Sequence, residues 1–553
     1  MKTTIKNFLY TTLFIFILIS CGKKTADVLI PEDAAVVVHL NMESLTSKLS
    51  WEEIKNSDWF KMASEEGHHS DIQKRLLANP DSSGVDLKKD LYMFVQMRGT
   101  NSYVVLQGKL KDAKAFETMV ASMDDKPQEI KKQGSFSYAG DDEGAVTWTS
   151  DRFIIVGNGN MGPRQEMFGN NTPKAKISID SILRYAKDLY SLPQKNSITN
   201  DSHYASIAAE KGDIHLWLSS GSLIKNSMPG EMSMFKAASL LDGNVTGYTV
   251  NFDNGKITAN TKTWFNNEVG ALMKKYQPAN LNTEMLKRIQ GQNMSVVFAM
   301  NYPPEGLKEF LKLFGVDGMV NGFLGDVGLS LDDFVKANKG DVLFAVSDLT
   351  VEDKEMNLKP GKGDLPSSMP KPGANILFAT SINDKPSFDK MVDVLKTEVS
   401  KQGGAADLSM IKYTIKDNWF IAGNAQESVD GFASGNTTDH PFISKISGHP
   451  VGGFIDFQKL SGGIKSKQFG GMSNIFAGDS TKVWDNMIFY GGEMKDGATV
   501  AYMEVNMFDK TTNSLKQINN FMSIAAKKAK EQNNSYAPGL VDTTSVRPPG
   551  LTQ

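Results

Sequence analysis

Hydrophobic and polar residues alternate along several short segments of this chain, which is typical of strands with one buried face. In YTVNFDNGKITANTKTWF the alternation runs on both sides of Asn254-Gly255, and in FYGGEMKDGATVAYMEVNMF it runs on both sides of Asp496-Gly497. Asn-Gly and Asp-Gly tolerate the positive φ angles of a tight turn, so each segment predicts a β-hairpin. A helix is predicted after each hairpin, over about residues 267–276 and 511–530.

The order of these segments occurs twice. The apolar strand AVVVHLN at 35–41 matches SVVFAMN at 295–301, and each is followed by strands, helices and a closing hairpin in the same order. We therefore expect an α+β fold made of two tandem homologous halves, each a largely antiparallel sheet with a few packed helices. The pattern is compatible with two separate sheets and with one merged sheet.

The length of 553 residues exceeds what a single hydrophobic core fills, so several domains are expected. The predicted layout is a lipoprotein signal peptide at 1–20, a tether at 21–30, a first α+β repeat at 31–285, a second α+β repeat at 286–530 and a disordered tail at 531–553. The Pro-, Gly- and Ser-rich stretch at 354–373 predicts a loop that is inserted in the second repeat alone.

One segment has the form of a dinucleotide-binding motif. SDRFIIVGNGNMG carries G-x-G-x-x-G at Gly157, Gly159 and Gly162, but the matching segment KDNWFIAGNAQES has Ala425 and Ser428 opposite the last two glycines. Because a phosphate cradle needs several glycines at a helix start, we interpret the shared residues as turn chemistry and expect no nucleotide partner. These predicted structural-turn residues are Asp151, Gly157 and Asn158 in the first copy and Asp417, Gly423 and Asn424 in the second.

The N-terminus MKTTIKNFLYTTLFIFILISCGKK combines two early lysines, a short apolar run and a Cys, which indicates a secretory signal peptide. Its L-x-S-C ending resembles the lipobox of bacterial lipoproteins, which implies lipid attachment at Cys21 and a membrane as partner. Surface export of Bacteroidetes lipoproteins goes with acidic residues after that cysteine, whereas Lys23 and Lys24 are basic. The resemblance therefore implies a periplasm-facing outer-membrane lipoprotein, with the cell surface as the alternative.

The charge balance and the cysteine count exclude several classes of function. The formal net charge is −3, and positive charge is not concentrated in one segment, so no nucleic-acid partner is expected. Cys21 is the single cysteine, and its use for lipid leaves no thiol for a disulfide, a nucleophile or a metal-thiolate site.

Candidate catalytic and metal-binding residues are few. His68-His69 lie among acidic residues, but adjacent histidines point in different directions on a helix or a strand, so a polar loop is the simpler interpretation. Ser222-Leu-Ile-Lys225 has the S-x-x-K form of some acylating enzymes, although the companion S-D-N and K-T-G motifs are missing. We therefore predict no catalytic residue, no metal site and no cofactor.

The lipobox, the two diverged α+β halves and segments such as IPEDAAVVVHLN and DRFIIVGN resemble a family of Bacteroidetes lipoproteins known as domain of unknown function 4836. The resemblance implies a location and a fold without catalytic residues. We expect a membrane-anchored cell-envelope lipoprotein that binds an envelope protein or glycan, or that has a structural role. The alternative is an envelope glycan or peptide hydrolase that uses two carboxylates as acid and base.

Overall fold

The computed structural model describes residues 28–65, 79–99, 101–122, 128–159, 177–224, 240–291, 293–351, 372–401, 411–463 and 482–535. The strands are β1 Val36–Leu40, β2 Leu91–Arg98, β3 Asn101–Lys109, β4 Lys131–Gln133, β5 Phe136–Asp141, β6 Gly144–Trp148, β7 Arg152–Asn158, β8 Ile214–Ser219, β9 Val245–Asp253, β10 Lys256–Trp264, β11 Met294–Asn301, β12 Asn338–Val351, β13 Pro372–Ile382, β14 Lys412–Lys416, β15 Trp419–Gly423, β16 Val451–Asp456, β17 Trp484–Lys495 and β18 Ala498–Met507.

The described α-helices are α1 Met42–Lys48, α2 Trp51–Asn56, α3 Asp58–Glu65, α4 Ala113–Ala121, α5 Ile179–Tyr190, α6 Ser202–Ala208, α7 Ser220–Ile224, α8 Asn267–Lys275, α9 Thr283–Lys287, α10 Pro304–Phe314, α11 Asp317–Asp326, α12 Leu331–Ala337, α13 Lys385–Lys401, α14 Gln426–Ser434, α15 Ile443–Ile446, α16 Phe457–Gly463 and α17 Ser514–Ser535. Short 3-10 helices span Pro80–Ser83, Gln194–Asn196 and Ile198–Asn200. No helix in the described residues is both long enough and apolar enough to cross a bilayer.

The strands form one sheet in which each pair of neighbours is antiparallel. Their order across the sheet is β4-β5-β6-β7-β3-β2-β1-β8-β9-β10-β18-β17-β16-β11-β12-β13-β15-β14. Most sequential neighbours are joined by short connections, and helices fill the longer ones. The predicted mixed α+β class with a largely antiparallel sheet is confirmed.

The strands of residues 36–264 and of residues 294–507 merge into this sheet at one junction. β10 and β18 pair from Lys256 opposite Asn506 to Thr263 opposite Thr499. Each of these strands is the second strand of a closing hairpin, so each hairpin covers the open edge of the other. The question that the sequence left open is therefore answered in favour of one merged sheet.

Both predicted hairpin turns are confirmed. Asn254-Gly255 joins β9 to β10, with Asp253 opposite Lys256. Asp496-Gly497 joins β17 to β18 with φ angles of 51° and 81°, the positive values that a type I′ turn requires at both central residues.

Two helix groups cover one face of the sheet, which we call the cleft face because a cleft opens on it beside α6. On one side of the β10–β18 junction, α5 and α6 pack on a core that includes Phe94, Ile154 and Trp217. On the other side, α9, α14 and α15 pack on a core that includes Trp419 and Ile421. Since side chains alternate between faces along a strand, the paired residues Trp217, Gly247 and Lys262 lie on this same face.

The opposite face is covered in its first part by α1, α2, α3 and α4. Their buried residues include Leu45, Phe60 and Phe116, and they pack against Phe153 of β7. Helix α17 reaches this layer from the end of the chain, because Leu515 belongs to the same core. Phe116 of α4 and Phe388 of α13 lie in the cores of the two parts of the fold.

Several predicted segment boundaries can be compared with the described residues and the observed helices. The signal peptide, Cys21 and most of the tether lie outside the described residues, as do 354–371 of the predicted inserted loop and 536–553 of the predicted tail. The last two residues assigned to that loop, Pro372 and Gly373, belong to β13. The final helix begins at Ser514 and continues to Ser535, so residues 531–535, which were assigned to a disordered tail, are helical. The predicted helix after the first hairpin matches α8.

The strand pairing corrects the alignment of the two Gly-Asn segments. Gly157 lies opposite Val104, whereas its neighbour Val156 pairs with Val105 in the core of the cleft face. Gly423 itself faces that side, because a Cβ on it would lie 3.3 Å from Val429 of α14. The alignment by shared residues is thus displaced by one position, and a one-residue slip reverses every side chain in a strand.

Candidate functional site

A cleft of about 910 Å³ opens on the cleft face at the β10–β18 junction, beside α6. Its floor is formed by alternate residues of β10, β17 and β18, among them Asn260, Tyr490 and Tyr502, which lie beside each other in register. One wall is the exposed side of α6 with the Glu210-Lys211 segment that follows it. We call this space the seam cleft.

Aromatic rings line much of the seam cleft. Tyr490 stacks on His449 at 4.3 Å and lies 5.0 Å from Tyr502, measured between ring centroids. On the α6 wall, the centroid of the His203 ring lies 4.7 Å from that of the Trp264 ring. Burial raises the pKa of Tyr502, and the Glu504 carboxylate raises it further, so the Tyr502 hydroxyl is neutral and donates a hydrogen bond to Glu504 at 3.2 Å.

The charges in the cleft are balanced and largely paired. Lys262 contacts Glu210 at 2.5 Å and the His449 ring nitrogen Nδ1 lies 3.0 Å from the Glu493 carboxylate. The lining has as many basic as acidic residues. The basic ones are Lys211, Lys262 and Lys495, and the acidic ones are Glu210, Glu493 and Asp496. The cleft therefore favours a ligand without strong net charge.

A buried ion network lies beside the cleft and connects the two parts of the sheet. The Glu504 side chain is only 8% exposed, and it accepts hydrogen bonds from Lys256 at 3.1 Å and from Lys445 at 2.6 Å. Burial alone would raise the pKa of Glu504, but the hydrogen bonds from Lys445, Lys256 and Asn506 lower it to about 2. Since Lys256 lies on β10 and Glu504 on β18, this network fastens the junction.

A pair of buried histidines lies behind the α6 wall. His39 of β1 and His215 of β8 are paired on neighbouring strands and lie side by side on one face, with their Nδ1 atoms 3.1 Å apart and Tyr92 stacked on His39 at 4.6 Å. His39 Nε2 lies 2.9 Å from Asp90, and His215 Nε2 lies 3.0 Å from the Glu210 carbonyl oxygen. The chain of hydrogen bonds thus ends on the segment that lines the cleft.

Hydrogen-bond accounting assigns the protons of this pair. A carbonyl oxygen only accepts, so His215 donates from Nε2, and an ionised Asp90 requires a proton on His39 Nε2. The bond between the two Nδ1 atoms needs one further proton. Burial and the neighbouring His39 lower the pKa of His215, which favours a neutral His215 with its proton on Nε2.

The structure places the predicted turn residues away from this cleft. Asp151 lies in the turn before β7, where it contacts Lys109 at 3.3 Å; burial raises its pKa, but the Thr149 hydrogen bond, the Arg152 charge and Lys109 outweigh it and leave the pKa lowered. Asp417 lies with Asn418 in the turn before β15, at φ angles of 51° and 61°. Gly157 and Asn158 end β7 and Gly423 ends β15, while the Asn424 side chain accepts a hydrogen bond from the Ile376 amide at 2.8 Å.

These strand ends do not form the context that a dinucleotide motif requires. β7 lies between β3 and β6, and both pairings are antiparallel, whereas the motif needs a strand and helix within a parallel unit. Gly159 follows the strand directly, and Gly162 lies outside the described residues.

Other candidate residues lie apart from each other or outside the described part. His68, His69 and Lys225 are outside it, and Ser222 hydrogen-bonds to Ser219 at 3.0 Å. His440 is buried, and its Nε2 is 3.2 Å from the Ile289 carbonyl oxygen. Within the described residues, no group of three or more His, Cys, Asp or Glu side chains could hold a metal ion.

The acid-base pair of the hydrolase alternative finds no support in the cleft. Glu210 and Glu493 each contact a cationic or potentially cationic partner, Lys262 and His449. A catalytic acid needs a carboxyl group with a raised pKa, whereas Glu504 beside the cleft has a lowered one. The arrangement offers rings, hydroxyls and paired charges for binding.

Sequence reasoning missed the residues of the cleft and of the histidine pair. His39 and His215 are polar residues inside the apolar runs AVVVHLN and DIHLWL, and this interruption was the available signal. In the matching segment SVVFAMN, the position of His39 is occupied by Ala299, which faces Gly452. A search for polar residues that occur in the apolar segments of the first part of the chain and not in the matching segments of the second would have selected His39 and His215.

Comparison with known proteins identifies the family. A family model described as "Domain of unknown function (DUF4836)" matches residues 27–434, about three quarters of the chain. The chain belongs to this family. The predicted membership is thus confirmed, and the DUF4836 match extends from the segment before β1 to the end of α14, so β16, β17 and β18 follow the matched region.

Other comparisons add little to the family assignment. No curated protein matches the chain. A solved structure titled "Structure of crystal form III of TP0453" is 10% identical, and the match covers 47% of this chain and 90% of that chain with a TM-score of 0.25. A likeness at this TM-score carries no argument about fold or function.

Proposed function

We propose that this DUF4836 protein is a cell-envelope lipoprotein that binds a neutral, hydroxyl-rich ligand, such as an envelope glycan, in the seam cleft. The observation that carries the proposal is the junction of β10 and β18, where Tyr490 and Tyr502 form an aromatic floor between balanced charges. Sugar rings pack against aromatic faces and exchange hydrogen bonds with paired side chains. The volume of about 910 Å³ lies within the range of small-molecule sites.

We further propose that the binding is not catalytic and that the fold arose from two diverged copies. The order of strand neighbours supports the duplication. β1 pairs with β2 and β8 as β11 pairs with β12 and β16, and His39 lies opposite His215 as Ala299 lies opposite Gly452. On this proposal the seam cleft is the space between the two copies, and the histidine pair is an addition to the first.

The tether is also part of the proposal. The lipobox-like segment ending in Cys21 supports acylation and an outer-membrane position facing the periplasm. Metabolic labelling with a fatty-acid analogue in the native bacterium tests it: the wild-type chain is expected to carry the label in the membrane fraction. The Cys21→Ala variant is expected to lose both the label and its association with the membrane fraction. Label that persists in this variant would contradict Cys21 as the attachment site.

Ligand binding is tested with soluble Cys21→Ala protein and a panel of neutral oligosaccharides released from bacterial envelopes. Calorimetric titration is expected to show binding of at least one of them, and Tyr502→Ala is expected to weaken it at least tenfold because the floor loses its ring. The matched control is Tyr413→Ala on β14, whose side chain is 46% exposed away from the cleft. Equal loss of affinity in both variants, or no binding by any oligosaccharide, would reject the proposal.

A further inference from the structure

Helices α10 and α11 expose an unusual amount of apolar surface. Leu307 and Phe310 are each 36% exposed, Met319 is 50% exposed and Phe323 is 69% exposed. No residue of α11 is buried, although seven of its ten residues are apolar or glycine. Exposed apolar residues that cluster on adjacent elements are typical of an interaction surface.

In the first part of the chain, another helix covers the helices that link β1 to β2. Helices α1 to α3 connect β1 to β2, as α10 to α12 connect β11 to β12. Helix α17 lies along α3, where the indole nitrogen Nε1 of Trp59 donates to Asn519 at 2.8 Å. Two ion pairs flank this contact, Lys516 with Glu53 at 2.5 Å and Lys527 with Asp58 at 2.6 Å.

The helix in the corresponding place on α10 is too short to cover it. α8 follows the first closing hairpin as α17 follows the second, and Tyr276 at its end packs against Gly306 near the start of α10. At 1.5 Å per residue, α8 is about 14 Å long and α17 about 33 Å long. Within the described residues, about three helical turns of the α10–α11 surface therefore have no covering helix.

The charges around this surface identify the kind of partner. Asp317 is the first residue of α11 as Asp58 is the first residue of α3, and Asp58 pairs with a lysine of α17. In the part of the chain that the structure describes, Asp317 and Asp326 make no ion pair, so they flank the apolar residues with free negative charge. A complementary helix would be apolar on one face and basic at its edges.

We propose that α10 and α11 form a docking surface for a basic amphipathic helix of a partner protein, which lies on them as α17 lies on α3. Phe310 and Phe323 would be the apolar anchors, and Asp317 would pair with a lysine or arginine of the partner. The inference rests on helix packing and is independent of the ligand in the seam cleft.

The probe is a fluorescent synthetic peptide with the sequence of residues 514–535, because it has the required apolar face and lysines. Anisotropy titration with soluble full-length Cys21→Ala protein is expected to show micromolar binding, and a scrambled peptide is expected not to bind. Phe323→Asp is expected to weaken binding at least tenfold, and Asp317→Lys about threefold to tenfold. Leu395→Asp on α13, at a residue 58% exposed, is the matched control that keeps binding.

Three results would overturn the proposal. One is the absence of binding. Another is binding that Asp58→Lys abolishes and Phe323→Asp leaves intact, since the peptide would then replace α17 on α3. The third is a concentration-dependent dimer in sedimentation that Phe323→Asp dissociates, because the surface would then bind a second copy. Met319→Asp replaces Phe323→Asp if circular dichroism shows that the latter is misfolded.

Discussion

Removing the charge of Glu504 tests whether the junction network stabilises the fold. The pKa of Glu504 falls from 4.5 to about 2 on folding. At about 1.4 kcal/mol per pKa unit, the ionised carboxylate contributes up to about 3 kcal/mol at pH 7. Glu504→Gln keeps the shape but loses this contribution, and it leaves Lys256 and Lys445 without their partner.

The sign of the pH dependence follows from the lowered pKa. The contribution is complete above pH 4.5 and decreases as the pH falls towards 2, so the difference between wild type and Glu504→Gln is expected to shrink to about 1.4 kcal/mol at pH 3. Urea unfolding at both pH values measures it. The matched control is Glu52→Gln, whose side chain is 66% exposed and whose loss is expected to leave stability nearly unchanged at both pH values.

Either of two results would refute this reasoning. A Glu504→Gln variant as stable as Glu52→Gln at pH 7 would show that the hydrogen bonds do not stabilise the charged form. If Glu504→Gln loses the same stability at pH 3 and at pH 7, the loss comes from packing around the side chain, because the charge then plays no part.

Further predictions concern buried polar groups. Asp213→Asn is expected to cost about 3–5 kcal/mol in urea unfolding, since Asp213 is fully buried and its carboxylate lies 2.6 Å from Lys48; a cost below about 1 kcal/mol would contradict this. His215→Ala is expected to cost about 1–3 kcal/mol, because His39 loses a buried hydrogen-bond partner, whereas exposed His203→Ala serves as its control. Because the pKa of His215 is lowered from 6.5, wild-type stability is expected to decrease as the pH falls below that value, and more steeply than in His215→Ala; equal slopes would argue against a neutral His215.

Local features of the fold could be predicted because their causes lie within a few residues. Asp496-Gly497 adopts the positive φ angles of its turn without any help from the rest of the chain. The apolar run that forms β1 consists of consecutive residues that favour a strand. The one-residue error in aligning Gly157 with Gly423 arose because shared letters were matched without the face that each residue occupies.

Features that depend on distant pairing could not be predicted. Nothing near β10 specifies that its free edge is covered by β18, because pairing between distant segments is decided by the whole packed fold. The same holds for the seam cleft, whose rings come from separate strands. His39 and His215 are 176 positions apart, so their contact depends on the order of β1 and β8 in the sheet.

The central claim is that both parts of the chain share one sheet through β10 and β18. Thr261 lies directly opposite Ala501 in this pairing, and the Cys21→Ala chain has no other cysteine. Thr261→Cys with Ala501→Cys in that background is expected to form an intramolecular disulfide on mild oxidation, measured by loss of free thiol and by gel mobility. Thr261→Cys with Tyr502→Cys, whose side chains point to opposite faces, is expected to stay reduced; a disulfide in this second pair and none in the first would contradict the account.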